Sequence, residues 1–182
     1  LPKAIDPIAV PIPRIETERL ILREWQHEDI EPYSAFVADD KAMRFLGGET
    51  FDRAGAWRQM AQLIGHWAMR GHGFWAVEEM ATGEFVGRVG IWEPEGWPGT
   101  EVGWSIMPDH WRKGFATEAG RASVQWAFDT LGLESIISLI APENEASIGV
   151  AKKLGEAHSG DWKIGEFDVQ IWKVAKGDFI AG

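Results

Sequence analysis

The sequence predicts a mixed α/β domain on three observations. Runs with helical spacing alternate with short apolar strand patterns, glycine and proline mark nearly every junction, and no segment repeats another. A chain of 182 residues is long enough for one substantial core and short for two, so one domain over residues 15–182 is expected, preceded by an arm over residues 1–14. With 45% hydrophobic and 25% charged residues, the composition is that of a soluble globular protein. A net charge of −10 argues against a general nucleic-acid binder, which would neutralise phosphates with Lys and Arg. The absence of cysteine excludes disulfides, thiolate zinc sites and a cysteine nucleophile. No apolar run approaches the roughly 20 residues of a membrane helix, and no signal pattern opens the chain. A cytoplasmic protein is the expectation.

Residues 1–14 carry prolines at positions 2, 7, 11 and 13, which resist helix and ladder alike, so this arm is expected to be extended. The pattern ending Leu20-Ile-Leu-Arg-Glu-Trp25 predicts a strand, and residues 27–38 a helix with Ile30, Tyr33 or Ser34, and Val37 inward. A short helix follows near residues 40–46, stopped by Gly47 and Gly48. Residues 52–70 show the clearest helical period, with Trp57, Met60, Ala61, Ile64, Trp67 and Ala68 at steps of three and four. Residues 74–79 and 85–92 read as a hairpin, and the second strand is apolar on both faces apart from Arg88, as a central strand would be. Residues 93–99 are rich in proline and glycine and predict an irregular loop. Then come a strand over 100–107, a helix from Ala116 to about Leu131, a strand over 135–141 and a helix over 144–154. An antiparallel pair over 156–162 and 166–175 closes the chain.

The turn Trp111-Arg-Lys-Gly-Phe-Ala-Thr-Glu-Ala119 joins a strand to a helix and has the composition of an anion site. N–H groups of a first helical turn lack internal partners, the helix dipole adds positive charge, and Gly114 lets the backbone approach a ligand closely. The same stretch also suits a plain basic turn. Gly71-His-Gly73-Phe-Trp-Ala76 imitates a dinucleotide fingerprint, but it follows a helix and precedes a strand, the reverse of what that mechanism needs. Five histidines show no metal-ligand spacing, so no metal site is expected.

Three segments then carry a resemblance. Glu101-Val-Gly-Trp-Ser-Ile-Met-Pro108, the turn at 111–119 and Asn144-Glu-Ala-Ser-Ile-Gly-Val-Ala-Lys-Lys-Leu-Gly155 resemble the acetyl-CoA-binding core of the GNAT N-acetyltransferases. Glu16-Thr-Glu-Arg-Leu-Ile-Leu-Arg23 is similar to the first strand of the branch containing RimJ and RimL. The resemblance implies a mostly antiparallel sheet of about seven strands, flanked by helices and splayed where the cofactor binds. It also implies that the pyrophosphate of coenzyme A lies against Arg112, Lys113, Gly114, Phe115, Ala116 and Thr117, and that pantetheine pairs with Ile106 and Met107. Asn144 would contact pantetheine and, being among the best N-caps, would cap its helix as well. The family's phosphate turn opens on Gln or Arg where this chain has Trp111, while Gly114 and Ala116 match.

Acetyl transfer needs a neutral amine, a stabilised oxyanion and a proton for the leaving thiolate. Glu101, at the start of the cofactor strand, is the candidate base, read against a plain strand-end glutamate. Many members use a tyrosine seven residues after the asparagine, but here that position is Ala151, and the only tyrosine, Tyr33, is remote in sequence. Ser147, similar to a serine of the RimL-like branch, takes its place as donor or as a hydrogen-bond partner of the sulfur, read against a helix serine bonding local backbone. The oxyanion would meet a backbone N–H near Ile106 or Met107. Trp92, Trp97, Trp104 and the acidic residues 93–95 would form an aromatic, anionic mouth for an ammonium group, or belong to core and surface. The expected activity is acetyl transfer from acetyl-CoA to a primary amine, a protein N-terminus or a small molecule, by direct attack in a ternary complex. The alternative is a catalytically weak acyl-CoA-binding or regulatory module. Either a monomer or a homodimer fits.

Overall fold

The β-branched and aromatic runs of the chain become one eight-stranded sheet in a computed structural model that describes residues 9–180. In chain order the elements are β1 (Ile15–Glu16), β2 (Leu20–Arg23), α1 (Ile30–Val37), α2 (Asp40–Met43), α3 (Arg53–Arg70), β3 (Phe74–Glu79), β4 (Phe85–Trp92) and β5 (Glu101–Ile106). They continue with α4 (Phe115–Trp126), β6 (Ser135–Ile140), α5 (Glu145–Lys153), β7 (Ala157–Ile164) and β8 (Phe167–Ala175). The strand order is β1-β2-β3-β4-β5-β6-β8-β7. Every neighbouring pair is antiparallel except β5 with β6, which run parallel. Residues 1–8 of the expected arm lie outside the described residues. Residues 9–14 form neither helix nor strand; Val10 and Ile12 pack against the core, and the Pro13 carbonyl accepts the Trp75 indole N–H at 2.7 Å.

Burial explains the layers. On one face Leu20, Leu22, Trp75, Val77, Val86 and Val89 pack against Phe115, Val124 and Phe128 of α4 and its π-helical extension. On the other, Trp25, Phe74 and Phe85 pack against Tyr33, Phe36, Met60 and Leu63 of α1 and α3. β4 is central, as its sequence predicts, and Arg88 and Trp92 are its only half-buried residues. The buried Arg23 side chain forks onto both Asp29 carboxylate oxygens at 2.8 Å, which fastens β2 to the turn that opens α1.

Three sequence expectations are corrected. The sheet has eight strands because residues 15–16 pair with 21–22, and two residues are too short to show a period. The helix expected over 27–38 opens as a 3-10 turn at His27–Asp29. The buried stripe of α3 is Gly55, Ala56, Met60, Leu63, His66 and Trp67, which leaves Trp57 60% exposed. The stripe rotates because His66 can be buried at no polar loss. Its Nε2 accepts the Glu93 N–H at 3.2 Å, so Nδ1 carries the proton given to the His72 carbonyl at 2.7 Å, and the ring stacks on Trp92 at 4.2 Å.

Two glycines of similar surroundings in sequence differ in space. Gly65 lies inside α3 with nothing near an added Cβ, whereas a Cβ on Gly90 would stand 2.2 Å from the Gly73 carbonyl. Gly65→Ala should stabilise by up to about 1 kcal/mol and Gly90→Ala should lower the melting temperature, as thermal denaturation of the two variants would show.

Candidate active site

The parallel pair β5–β6 begins as a ladder and then stops. Its one register pair is Glu101 with Ile137, and the Ile137 N–H donates to the Thr100 carbonyl at 3.0 Å. In a continued parallel ladder the Leu139 N–H would next donate to the Val102 carbonyl. Instead, Ser138 Oγ donates to that carbonyl at 2.9 Å, and the Leu139 N–H turns to Glu101 Oε1 at 3.5 Å. Two side chains thus replace the bond that would close the sheet. Beyond them lies a cavity of about 1110 Å³ between β5, β6, the N-terminus of α5, α3 and the β7–β8 turn.

The edge of β5 toward this gap has a definite set of donors. The Met107 N–H donates to the Val86 carbonyl at 2.9 Å, so by strand alternation Trp104 and Ile106 point their N–H groups into the gap. The Ile106 carbonyl already accepts the Trp111 indole N–H at 2.6 Å. Ile106 and Trp104, rather than Ile106 and Met107, therefore present free N–H groups to a partner lying along the edge.

Glu101 sits at the apex of the gap. Its open side faces the cavity and not bulk solvent, and burial pushes its carboxyl up to about 7. The Trp97 indole N–H donates to Oε2 at 2.7 Å and, with the Leu139 N–H and the charge of Arg88, opposes that rise. Such a group holds its proton near neutrality and gives it up readily, which is what a general base needs. Ser147 Oγ faces the same cavity and accepts the Trp104 indole N–H at 3.2 Å, which leaves its own proton to donate elsewhere. Asn144 caps α5, its Oδ1 accepting the Ser147 N–H at 3.1 Å, so its amide NH2 remains for a ligand.

The turn at residues 111–119 lies at the far end of β5. Arg112 and Gly114 both adopt positive φ, 62° and 86°, which points successive N–H groups the same way. Among the described residues, none of the N–H groups of residues 112–117 has a backbone acceptor. The turn is braced from the β1–β2 connection: the Arg19 guanidinium donates to the Lys113 carbonyl at 2.9 Å and pairs with Glu118 at 2.6 Å, and Thr17 Oγ1 donates to the same carboxylate at 2.6 Å. Six unpaired donors, two adjacent basic side chains and a helix N-terminus fit a pyrophosphate.

Of the residues singled out by sequence, Glu101, Asn144 and Ser147 line the cavity, while Ile106, Met107 and residues 112–117 stand beyond it along β5. Trp92, Trp97 and Trp104 do line it. The acidic residues 93–95 do not: Glu93 accepts the Thr100 hydroxyl at 2.6 Å and Glu95 is fully exposed beside Arg70. Tyr33, remote in sequence, reaches the cavity from α1 and donates to Gln59 Oε1 at 2.9 Å. Three participants went unread. Arg88 was visible as the one polar residue of a central strand. Ser138 and Glu156 were not, because only the fold brings them together: Glu156 Oε1 lies 3.0 Å from Ser138 Oγ, and its Oε2 is buried without a partner. Burial pushes the Glu156 carboxyl up to about 8, with the charge of Glu101 adding to the rise. Ser138 has one proton and two acceptors, so the arrangement closes when a protonated Glu156 donates to Ser138, which donates to Val102.

Comparison with known proteins places this geometry. The family model described as an acetyltransferase (GNAT) domain matches residues 19–156, and the chain belongs to that family of transferase enzymes. The chain is 32% identical over 150 residues to the uncharacterized N-acetyltransferase YoaA of Bacillus subtilis, covering 81% of this chain and 85% of that protein. The crystal structure of an acetyltransferase from Agrobacterium tumefaciens superposes with a TM-score of 0.82 at 28% identity, covering 95% of this chain and all of that one. The fold is also that of a spermidine N-acetyltransferase from Vibrio cholerae solved with CoA and spermine, with a TM-score of 0.71 at 19% identity, covering 87% and 96% of the two chains.

The raised carboxyls predict a pH-dependent stability. A folded-state value near 8 for Glu156, against about 4.5 in the unfolded chain, means that the folded protein binds the extra proton, so stability is full below about 4.5 and declines as pH rises through about 8. Glu156→Gln, which keeps shape without the proton, should melt higher than the native protein at pH 8.5 and alike at pH 5, by calorimetry across pH.

Proposed function

We propose that this chain transfers an acetyl group from acetyl-CoA to a primary amine, by direct attack in a ternary complex held in the gap between β5 and β6. The observation that carries this is Glu101: an acid titrating near neutrality at the apex of a splayed parallel strand pair, in a cavity large enough for two reactants. The N–H groups of residues 112–117, with Arg112 and Lys113, receive the pyrophosphate. Pantetheine runs along the free edge of β5, where the gap-facing N–H of Trp104, nearer to Glu101 than that of Ile106, stabilises the oxyanion, and the Asn144 amide holds its other side. Glu101 takes a proton from the attacking amine, directly or through water, as nitrogen bonds to the thioester carbon. The carbon–sulfur bond then breaks, and Ser147, its oxygen held by Trp104, gives a proton to the thiolate or bonds it. The RimJ/RimL-like affiliation is part of this proposal and rests on the opening motif Glu16–Arg23, whose Arg19 braces the phosphate turn.

An α-amino group, with a pKa of about 8, needs less help from such a base than a lysine at about 10.4. The test is coenzyme A release with a pool of amines, alongside acetyl-CoA binding by calorimetry. Glu101→Gln should lower kcat by about 10²- to 10⁴-fold and leave acetyl-CoA affinity intact. Acetyl-CoA binding without turnover of any amine would instead identify a binding or regulatory module. In the native enzyme kcat/KM should climb with pH through about 7. Trp97→Phe removes a bond to the ionised form and should move that climb to higher pH.

A further inference from the structure

Two cations line the cavity, the exposed Arg44 and the half-buried Arg88, and Arg88 is the one shielded from water without a partner. Arg88 projects from the central strand β4, its Nε is buried without an acceptor, and among the described residues its guanidinium joins no hydrogen bond or ion pair. Other arginines behave differently: Arg19 and Arg23 are held by carboxylates, and the unpaired Arg44, Arg58 and Arg112 are exposed to water. Arg88 rests over the Phe74 ring at 4.5 Å, a contact that orients a guanidinium without neutralising it. A half-buried charge without a counter-charge is a standing cost, and a ligand with an anion would relieve it.

Its position relative to Glu101 gives the ligand a second group. Glu101 is opposite Trp92 and Ser105 is opposite Arg88 in the register of β4 with β5, so Glu101, Ser105 and Arg88 share one face of the sheet. Between them stand Gly90 and Gly103, a register pair without side chains, and the Phe74 ring occupies the room they leave, its Cζ 2.8 Å from where a Cβ on Gly103 would stand. Arg88 is near enough to favour ionisation of Glu101, yet no ion pair joins them. The Cα atoms of Glu101 and Ser105 are on the order of 13 Å apart, and both side chains reach into that interval. Phe74, Arg88, Glu101 and Ser105 all line the cavity, so a ligand that meets both the carboxyl and the cation lies across the Phe74 ring.

We infer that the acceptor is a small amine that also carries a carboxylate, an α-amino acid being the simplest case, with its amine at Glu101 and its carboxylate on the Arg88 guanidinium beside Ser105. The guanidinium fork matches a carboxylate in two parallel hydrogen bonds, and the same contact sets the amine's distance from the base. This rests on the acetyl-transfer reading above and adds the acceptor class to it.

Matched pairs test it: amino acids against their own carboxamides, each assayed for kcat/KM in the native protein and in Arg88→Gln and Arg88→Lys. The native protein should prefer the carboxylate by about thirtyfold or more, Arg88→Gln should bring the ratio close to one, and Arg88→Lys, which keeps charge but loses the fork, should fall between. A ratio near one in the native protein overturns the inference. So does an unchanged ratio in Arg88→Gln, because Arg88 would then act only through the ionisation of Glu101, which slows both partners of a pair alike. Should no amine be acetylated, the acetyl-transfer reading fails, and the anion site is still decided by calorimetry on CoA-loaded protein. N-acetyl amino acids must then bind more tightly than their carboxamides and lose that advantage in Arg88→Gln; equal binding rejects the site.

Discussion

One interrupted hydrogen bond organises this molecule. Where the Leu139 N–H would meet the Val102 carbonyl, the Ser138 hydroxyl takes the carbonyl and the Glu101 carboxyl takes the N–H. A backbone carbonyl buried between strands must have a donor, and Ser138 supplies one without drawing the strands together. The consequence is a sheet that is continuous below Glu101 and open above it. Everything the proposed chemistry uses sits around that opening: the Glu101 carboxyl at its apex, the free edge of β5 on one side, the capped start of α5 on the other.

The opening is also where charge is least well solvated. Burial raises the proton affinity of both Glu101 and Glu156, the charge of Glu101 adds to the rise at Glu156, and Arg88 pulls Glu101 the opposite way. The division of labour follows from surroundings. Glu101 has an indole and an N–H donor and faces the cavity, so it exchanges its proton near neutrality. Glu156 has only Ser138 and a buried, unpaired oxygen, so it keeps its proton and holds the serine in place. The proposed base and its support thus use the same side chain, tuned apart by hydrogen bonds.

How much of this was legible in the sequence follows from the range of the interactions. Helix α3 and the hairpin β3–β4 announce themselves through local period and glycine stops, and the Asn144 cap through residue type at a helix start. The shape of the turn at residues 111–119 was readable because its features are local: Gly114 at positive φ, small residues and a helix N-terminus. The α3 stripe was misjudged at Trp57 because hydrophobicity alone cannot show that His66 has both nitrogens satisfied by distant backbone. Ser138 and Glu156 carry no signature, since each is an ordinary residue until strands β6 and β7 fold around them. Tyr33 reaches the cavity only because α1 packs across the sheet, and no spacing rule joins residue 33 to residue 101.

The most direct test of the central claim is amide hydrogen exchange of the protein with and without coenzyme A, read residue by residue. The unpaired N–H groups of residues 112–117 and the gap-facing N–H groups of Trp104 and Ile106 should exchange fast alone and slow sharply when coenzyme A is added. The N–H of Met107, already bonded to Val86, should change little. Slowing confined to other surfaces, with Ile106 and the 112–117 turn unaffected, would contradict the account.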